Sequence, residues 1–223
     1  MRITLATGTP AFVARPASGD AVRAVVLWPD IFGLRPLFEA HAQRLADDHG
    51  WVVVVPEPYP GREHLDVGER QAAAASLSDA DKVADAEAAA DAAAVAPVGL
   101  LGFCMGGMYA MKCLASDRFD RAVAFYGMVR VPEQWRGGGQ GDAIDVVAAR
   151  RERGDLALLA LFGTDDPWCP LDQIDELEGA GATVVRYEGA DHGWAQDPDR
   201  ENYRPDEATD AWARAEAFLD RVD

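Results

Sequence analysis

The chain has little of what would stabilise or target it from outside a core. Three cysteines (Cys104, Cys113 and Cys169) occur in 223 residues. An odd number without close pairing argues against a disulfide framework and for reduced thiols in a cytoplasmic setting. The four histidines make no ligand spacing with those thiols, so no metal site is expected. Only Lys82 and Lys112 are lysines, and acidic residues outnumber basic ones 38 to 21. A formal charge of -17 repels nucleic acid and anionic lipid, so neither is expected as a partner. No apolar run approaches the ~20 residues of a membrane span, and the first residues lack a signal-peptide pattern.

What is present is a regular alternation. Strand-like runs at Val22–Trp28, Trp51–Val55, Val98–Leu101, Ala122–Tyr126, Leu156–Phe162 and Thr183–Tyr187 interleave with helical patterns. The helices are expected at Leu37–Asp48, Ser76–Ala94, Met105–Ser116, Leu171–Leu177 and Asp206–Arg221. The alanine-rich Ser76–Ala94 reads as an exposed crossover helix without chemistry. Residues 3–15 suggest an edge hairpin, Pro56–Gly68 a long loop, and Arg130–Gly154 a loop with one short helix. The pattern predicts a single α/β domain over residues 1–223: a mostly parallel sheet, helices on both faces, no separate lid domain. Reactive groups in such folds gather at the carboxyl ends of the strands. The loops after Trp28, Leu101, Tyr126, Phe162 and Tyr187 therefore matter most.

The loop after Leu101 reads Gly102-Phe103-Cys104-Met105-Gly106-Gly107. This is a glycine-flanked nucleophile between a strand and a helix, with cysteine where serine is commoner. The glycines let the chain turn sharply, and the next N–H, on Met105, can face an oxyanion. The helix start favours a thiolate. Such a nucleophile needs a base and an orienter, in the chain order nucleophile, acid, histidine. His192 is the only histidine after Cys104, and it follows the last predicted strand. The loop after Phe162 offers Asp165 and Asp166, between which spacing does not choose. A second oxyanion donor belongs in the loop after the first long strand, where Ile31 N–H is the candidate beside Gly33. Asp30 is a charged residue at an apolar strand exit.

Together these loops resemble the dienelactone hydrolase family, within the α/β-hydrolase fold. The resemblance rests on Asp30-Ile31-Phe32-Gly33-Leu34, the Cys104 turn, Phe125-Tyr126-Gly127, Gly163-Thr164-Asp165-Asp166-Pro167-Trp168-Cys169-Pro170 and Ala190-Asp191-His192-Gly193-Trp194. It implies a Cys104–His192–Asp166 triad, the aspartate standing four residues before Pro170. It also implies an oxyanion hole from Ile31 and Met105, and a pocket that counts Asp30, Phe32, Tyr126 and Trp194. The family places a glutamate where Asp30 stands, to hold the resting thiol. It uses arginines to grip a substrate carboxylate. One of those positions holds Gln196 here, and another corresponds to Arg70. Arg35, Arg62 and Arg130 are the other arginines whose approach to Cys104 would supply that grip. The implied activity is cleavage of a small-molecule lactone or carboxylic ester through an acyl-thioester, without cofactor. Thioesterase or general carboxylesterase activity on the same scaffold, or non-catalytic small-molecule binding, are the rival readings.

Overall fold

In a computed structural model, which describes residues 1–17 and 19–221, the chain forms one eight-stranded sheet with packed helices. Five central strands are β3 (Arg23–Trp28), β4 (Trp51–Pro56), β5 (Val98–Phe103), β6 (Arg121–Phe125) and β7 (Leu158–Gly163). They are buried at every position. That explains their continuous apolar runs: a parallel strand covered on both faces has no solvent side to alternate toward. The predicted edge hairpin is present as β1 (Arg2–Thr4) and β2 (Pro10–Ala14), paired antiparallel, with β2 antiparallel to β4. At the other edge β8 (Thr183–Tyr187) is only partly buried.

The strand order is β1-β2-β4-β3-β5-β6-β7-β8, with all pairs from β4 to β8 parallel. The chain goes from β3 to β4 on one side, then returns to β5 on the other. That reversal opens a crevice beyond the carboxyl ends of β3 and β5. The register aligns Trp28 with Gly102, Phe103 with Phe125 and Gly163 with Tyr187. The loops singled out from sequence therefore emerge along one rim.

α1 (Pro36–His49) starts with proline in its first turn and stops at Gly50, whose φ is 70°. Two segments differ from expectation. The loop predicted over 56–68 gives way to a helix, α2 (Val67–Ala74), closed by a capping box between Asp66 and Glu69. The Asp-x-x-Glu signature is present in the sequence, but Gly68 and the short length hide the helix behind it. α3 (Asp79–Ala93) is capped by Ser78 and is not an exposed helix. It buries Ala86, Ala89, Ala90 and Ala93 against the sheet, together with a Lys82–Asp85 ion pair of 3.0 Å. Alanine at eight of its fifteen positions leaves no apolar stripe to read, yet its small side chain lets the helix pack closely.

α4 (Met105–Cys113) follows β5 directly and is buried throughout. The stretch 130–154 holds a full helix, α5 (Ala143–Arg153), ended at Gly154. α6 (Leu171–Gly179) and α7 (Pro205–Leu219) complete the cover. α7 meets α1 through Trp212 and His41, whose ring centroids lie 4.9 Å apart.

Candidate active site

The turn between β5 and α4 is strained where the chemistry would sit. Cys104 has φ 57° and ψ -122°, a region that costs a side-chain-bearing residue about 1–3 kcal/mol. Its surroundings enforce it. Cys104 N–H donates to Phe125 O (3.0 Å), and its carbonyl accepts from Met108 N–H (3.1 Å). A Cβ on Gly102 would lie 2.0 Å from Gly106 O, and one on Gly106 would lie 2.3 Å from the carbonyl oxygens of Trp28 and Pro29. Those two glycines are thus needed for backbone to approach backbone, which lifts the thiol over the rim.

The turn after β7 settles which aspartate meets the histidine. Asp166 is buried; its Oδ1 accepts from Trp168 N–H (2.8 Å) and its Oδ2 lies 2.7 Å from His192 Nδ1. Asp165 instead donates its N–H to Ala190 O (3.0 Å) and keeps an exposed side chain. Gly163 makes the approach possible, since a Cβ there would lie 2.1 Å from Ala190 O. Burial works against a charge on His192, but the negative charge of Cys104 and the Asp166 hydrogen bond outweigh it. They hold the imidazole pKa well above 6.5. Nε2 makes no well-aligned hydrogen bond among the described residues, although the sulfur is near enough to act on the ring. Cys169 lies behind, its thiol pushed up to about 12 chiefly by burial and donating to Tyr126 O at 3.5 Å. Donor atoms of Asp166, Cys169 and His192 lie within 4.8 Å of one another, but they are already engaged with each other or with backbone.

Cys104 and His192 open on a cleft of about 140 Å³, walled by Asp30, Ile31, Phe32, Trp135, Trp168 and Arg200, with Val67 and Gln71 of α2 at one side. Tyr126 and Trp194 are fully buried behind this wall. Tyr126 packs edge-on against His192 (5.2 Å) and Trp194 (5.9 Å). Met105 is buried beneath, with its backbone at the helix start.

Two expectations need correction. Arg70 does not line the cleft. Its guanidinium pairs with buried Glu57 (3.3 Å), donates to the carbonyls of Leu65 and Glu63, and covers the Tyr59 ring. Glu57 also accepts from the N–H groups of Leu34 and Tyr59, so Arg70 neutralises a carboxylate that ties two loops together. Asp30 reaches the cleft, but no hydrogen bond joins it to Cys104 among the described residues. Arg35 grips its carboxylate in a fork (2.5 and 2.9 Å); Oδ1 also accepts from Phe32 N–H and Oδ2 from Gln196 Nε2. Aspartate is one methylene shorter than glutamate, and the nearby guanidinium claims it.

Arg62 and Arg130 are likewise engaged elsewhere, with Ser76 and with Asp142 and Glu176. The cation that lines the cleft is Arg200, which sequence reasoning missed. Its side chain is half-buried and makes no hydrogen bond or ion pair among the described residues. It lies over Gly193, where a Cβ would fall 2.8 Å from its Nη1. It comes from the turn Asp197-Pro198-Asp199-Arg200, which carries no periodic signal.

A thiol on a strained strand-to-helix turn at the switch point of a mostly parallel sheet, with acid and histidine on the last two strand exits, defines the α/β-hydrolase class. Within that class, the chain belongs to the dienelactone hydrolase family, whose family model matches residues 9–222. It is 28% identical to a Rhodococcus opacus carboxymethylenebutenolidase, over 92% of this chain and 82% of that one. It is also 28% identical to a Synechocystis sp. protein assigned to the same activity, over 93% and 89% of the two chains. In three dimensions it is similar to a Klebsiella pneumoniae protein assigned to the dienelactone hydrolases, with a TM-score of 0.87, 24% identity and coverage of 100% and 98%. No helix among the described residues is long and apolar enough to cross a membrane.

Proposed function

We propose that this chain hydrolyses a small lactone or carboxylic ester bearing a carboxylate, with Cys104 as nucleophile, His192 as base and Asp166 as its orienter. The observation that carries this reading is the imidazole itself. Nδ1 is fixed by a buried carboxylate, and the ring shares with the elbow sulfur the wall of a cleft that also presents a guanidinium with no ion pair among the described residues.

The thiolate attacks the carbonyl carbon, and the N–H groups of Ile31 and Met105 receive the oxyanion. The carbon–oxygen bond to the leaving group breaks, and His192 gives that oxygen its proton. The product is an acyl-thioester on Cys104. Acylation removes the sulfur's charge, and with it a principal cause of the raised imidazole pKa. The ring is then neutral and can take a proton from the water that attacks the thioester. Thiolate departs, and the imidazolium pair is restored. Asp166 fixes the tautomer and stabilises the cation throughout. Arg200 holds the substrate carboxylate, a local attraction set against the repulsive field of a chain carrying charge -17.

The test is rapid quenching of wild-type protein with an aryl ester, followed by peptide mass spectrometry. An acyl adduct on Cys104 is expected, and Cys104→Ala should lose both adduct and turnover. Turnover retained by Cys104→Ala would end the proposal.

A further inference from the structure

Gln196 is 1% exposed and does three things at once. Its Oε1 accepts from the Tyr126 hydroxyl, its Nε2 donates to Asp30 Oδ2 (3.2 Å), and its carbonyl accepts from His41 Nε2 (2.7 Å). The direction of this chain is set by chemistry. The Asp30 oxygens already accept from the Arg35 fork, so the amide nitrogen faces them as a further donor. The amide oxygen is then left for Tyr126, whose hydroxyl must donate.

The chain joins the two loops that the proposed reaction needs in register. Asp30 immediately precedes Ile31, the expected oxyanion donor. Of the groups bonded to the Asp30 carboxylate, Phe32 N–H and Arg35 belong to the same short segment. Among the described residues, Gln196 alone lies outside it. Arg35 reaches Asp197 only at 4.0 Å. Gln196 stands four residues after His192 in the same loop between β8 and α7. Tyr126, at the other end of its amide, is held at φ 38° with its N–H on Leu161 O (2.7 Å) and its ring against His192.

We infer that Gln196 is a positioning residue that holds the Ile31 N–H in register with Cys104 and His192, through the buried chain Tyr126–Gln196–Asp30. The inference rests on the reading of Cys104 as an acylated nucleophile. Gln196 is buried and does not line the cleft, and among the described residues no hydrogen bond joins it to the sulfur; it acts through Asp30. A misplacement of about 1 Å of a group that must meet the transition state is enough to cost roughly 100-fold.

Two reactions of the same sulfur test it. Acylation by a p-nitrophenyl ester builds an oxyanion. Alkylation by iodoacetamide forms a sulfur–carbon bond at a saturated carbon, expels iodide and builds none. In Gln196→Met, which keeps the length but removes both amide bonds, acylation of Cys104 should fall roughly 10- to 100-fold. Alkylation should stay within about twofold of wild type, which also reports an intact thiol–imidazole pair. Tyr126→Phe, which removes only the hydroxyl, should give a smaller loss of the same selective kind. Parallel loss of both reactions in both variants would mean that Gln196 merely supports the fold and would overturn the inference, as would wild-type acylation in Gln196→Met. If wild-type protein forms no Cys104 adduct, the nucleophile reading falls and this inference falls with it. An adduct formed by the variant at wild-type rate refutes the inference alone.

Discussion

Replacing Arg200 by glutamine removes the cleft's unpaired positive charge while keeping a polar side chain of similar reach. A substrate carboxylate about 4 Å from the guanidinium would gain roughly 4 kcal/mol at an effective dielectric of ~20. Arg200 is only half-buried, so water and the cost of desolvating both groups reduce that figure. Hydrogen bonds to charged partners are worth about 1.5–3 kcal/mol net. At ~1.4 kcal/mol per decade, the expected loss in kcat/KM is roughly 10- to 150-fold for a carboxylate-bearing ester. The assay uses two aryl esters, one ending in a free carboxylate and one in the corresponding primary amide. Only the first should respond to Arg200→Gln, and the wild-type preference should shrink as salt is raised from 10 mM toward 1 M, where screening lengths fall from ~30 to ~3 Å. Equal losses on both esters would show that Arg200 braces the turn over Gly193 and does not hold a ligand. No loss on either would place the substrate elsewhere.

Three further outcomes follow from the geometry. Gly106→Ala drives a Cβ to 2.3 Å from two backbone carbonyls that cannot move without opening the elbow; a cost of about 3 kcal/mol, a Tm lower by roughly 6–12 °C, is expected, and an unchanged melting curve would refute the packing argument. Cys104→Ala removes a principal cause that raises the His192 pKa, so the imidazole should titrate lower than in the wild type by NMR. Because the folded value is raised, the stability it contributes is full below 6.5 and fades as pH climbs through that raised value; identical titrations in the two proteins would contradict the assigned cause. Asp85, on α3, accepts from Lys82 (3.0 Å) and from the Thr7 and Thr9 hydroxyls (2.7 Å each). Asp85→Ala strands a buried ammonium and should cost about 3–5 kcal/mol by urea denaturation, whereas Lys82→Met with Asp85→Leu should recover much of it; a double variant no better than the single would refute the unpaired-charge explanation.

Much of the fold was readable because local patterns are physical constraints. Continuous runs such as Trp51–Val55 must be covered on both faces, and Gly50 and Gly154 stop helices by their left-handed backbone. The misreadings have equally definite reasons. α2 escaped detection because it is short and carries glycine in its first turn; α3 was expected as a helix, but its alanines erase the contrast between faces and hid its burial.

The site divides along the same line. The chain alone determined that a thiol stands on a glycine-flanked turn, that one histidine could serve it, and that two adjacent aspartates compete to orient the histidine, because turn sterics and chain order are local or one-dimensional properties. Only the assembled sheet decided that Asp166 and not Asp165 meets His192, that Arg35 claims Asp30, that Arg70 is drawn to Glu57, and that Arg200 faces the cleft. Those outcomes depend on how strand order and register set the loops along one rim, which decides which of several candidate groups each charge meets. A charge there goes to whichever partner three-dimensional packing sets beside it, and no spacing along the chain encodes that choice.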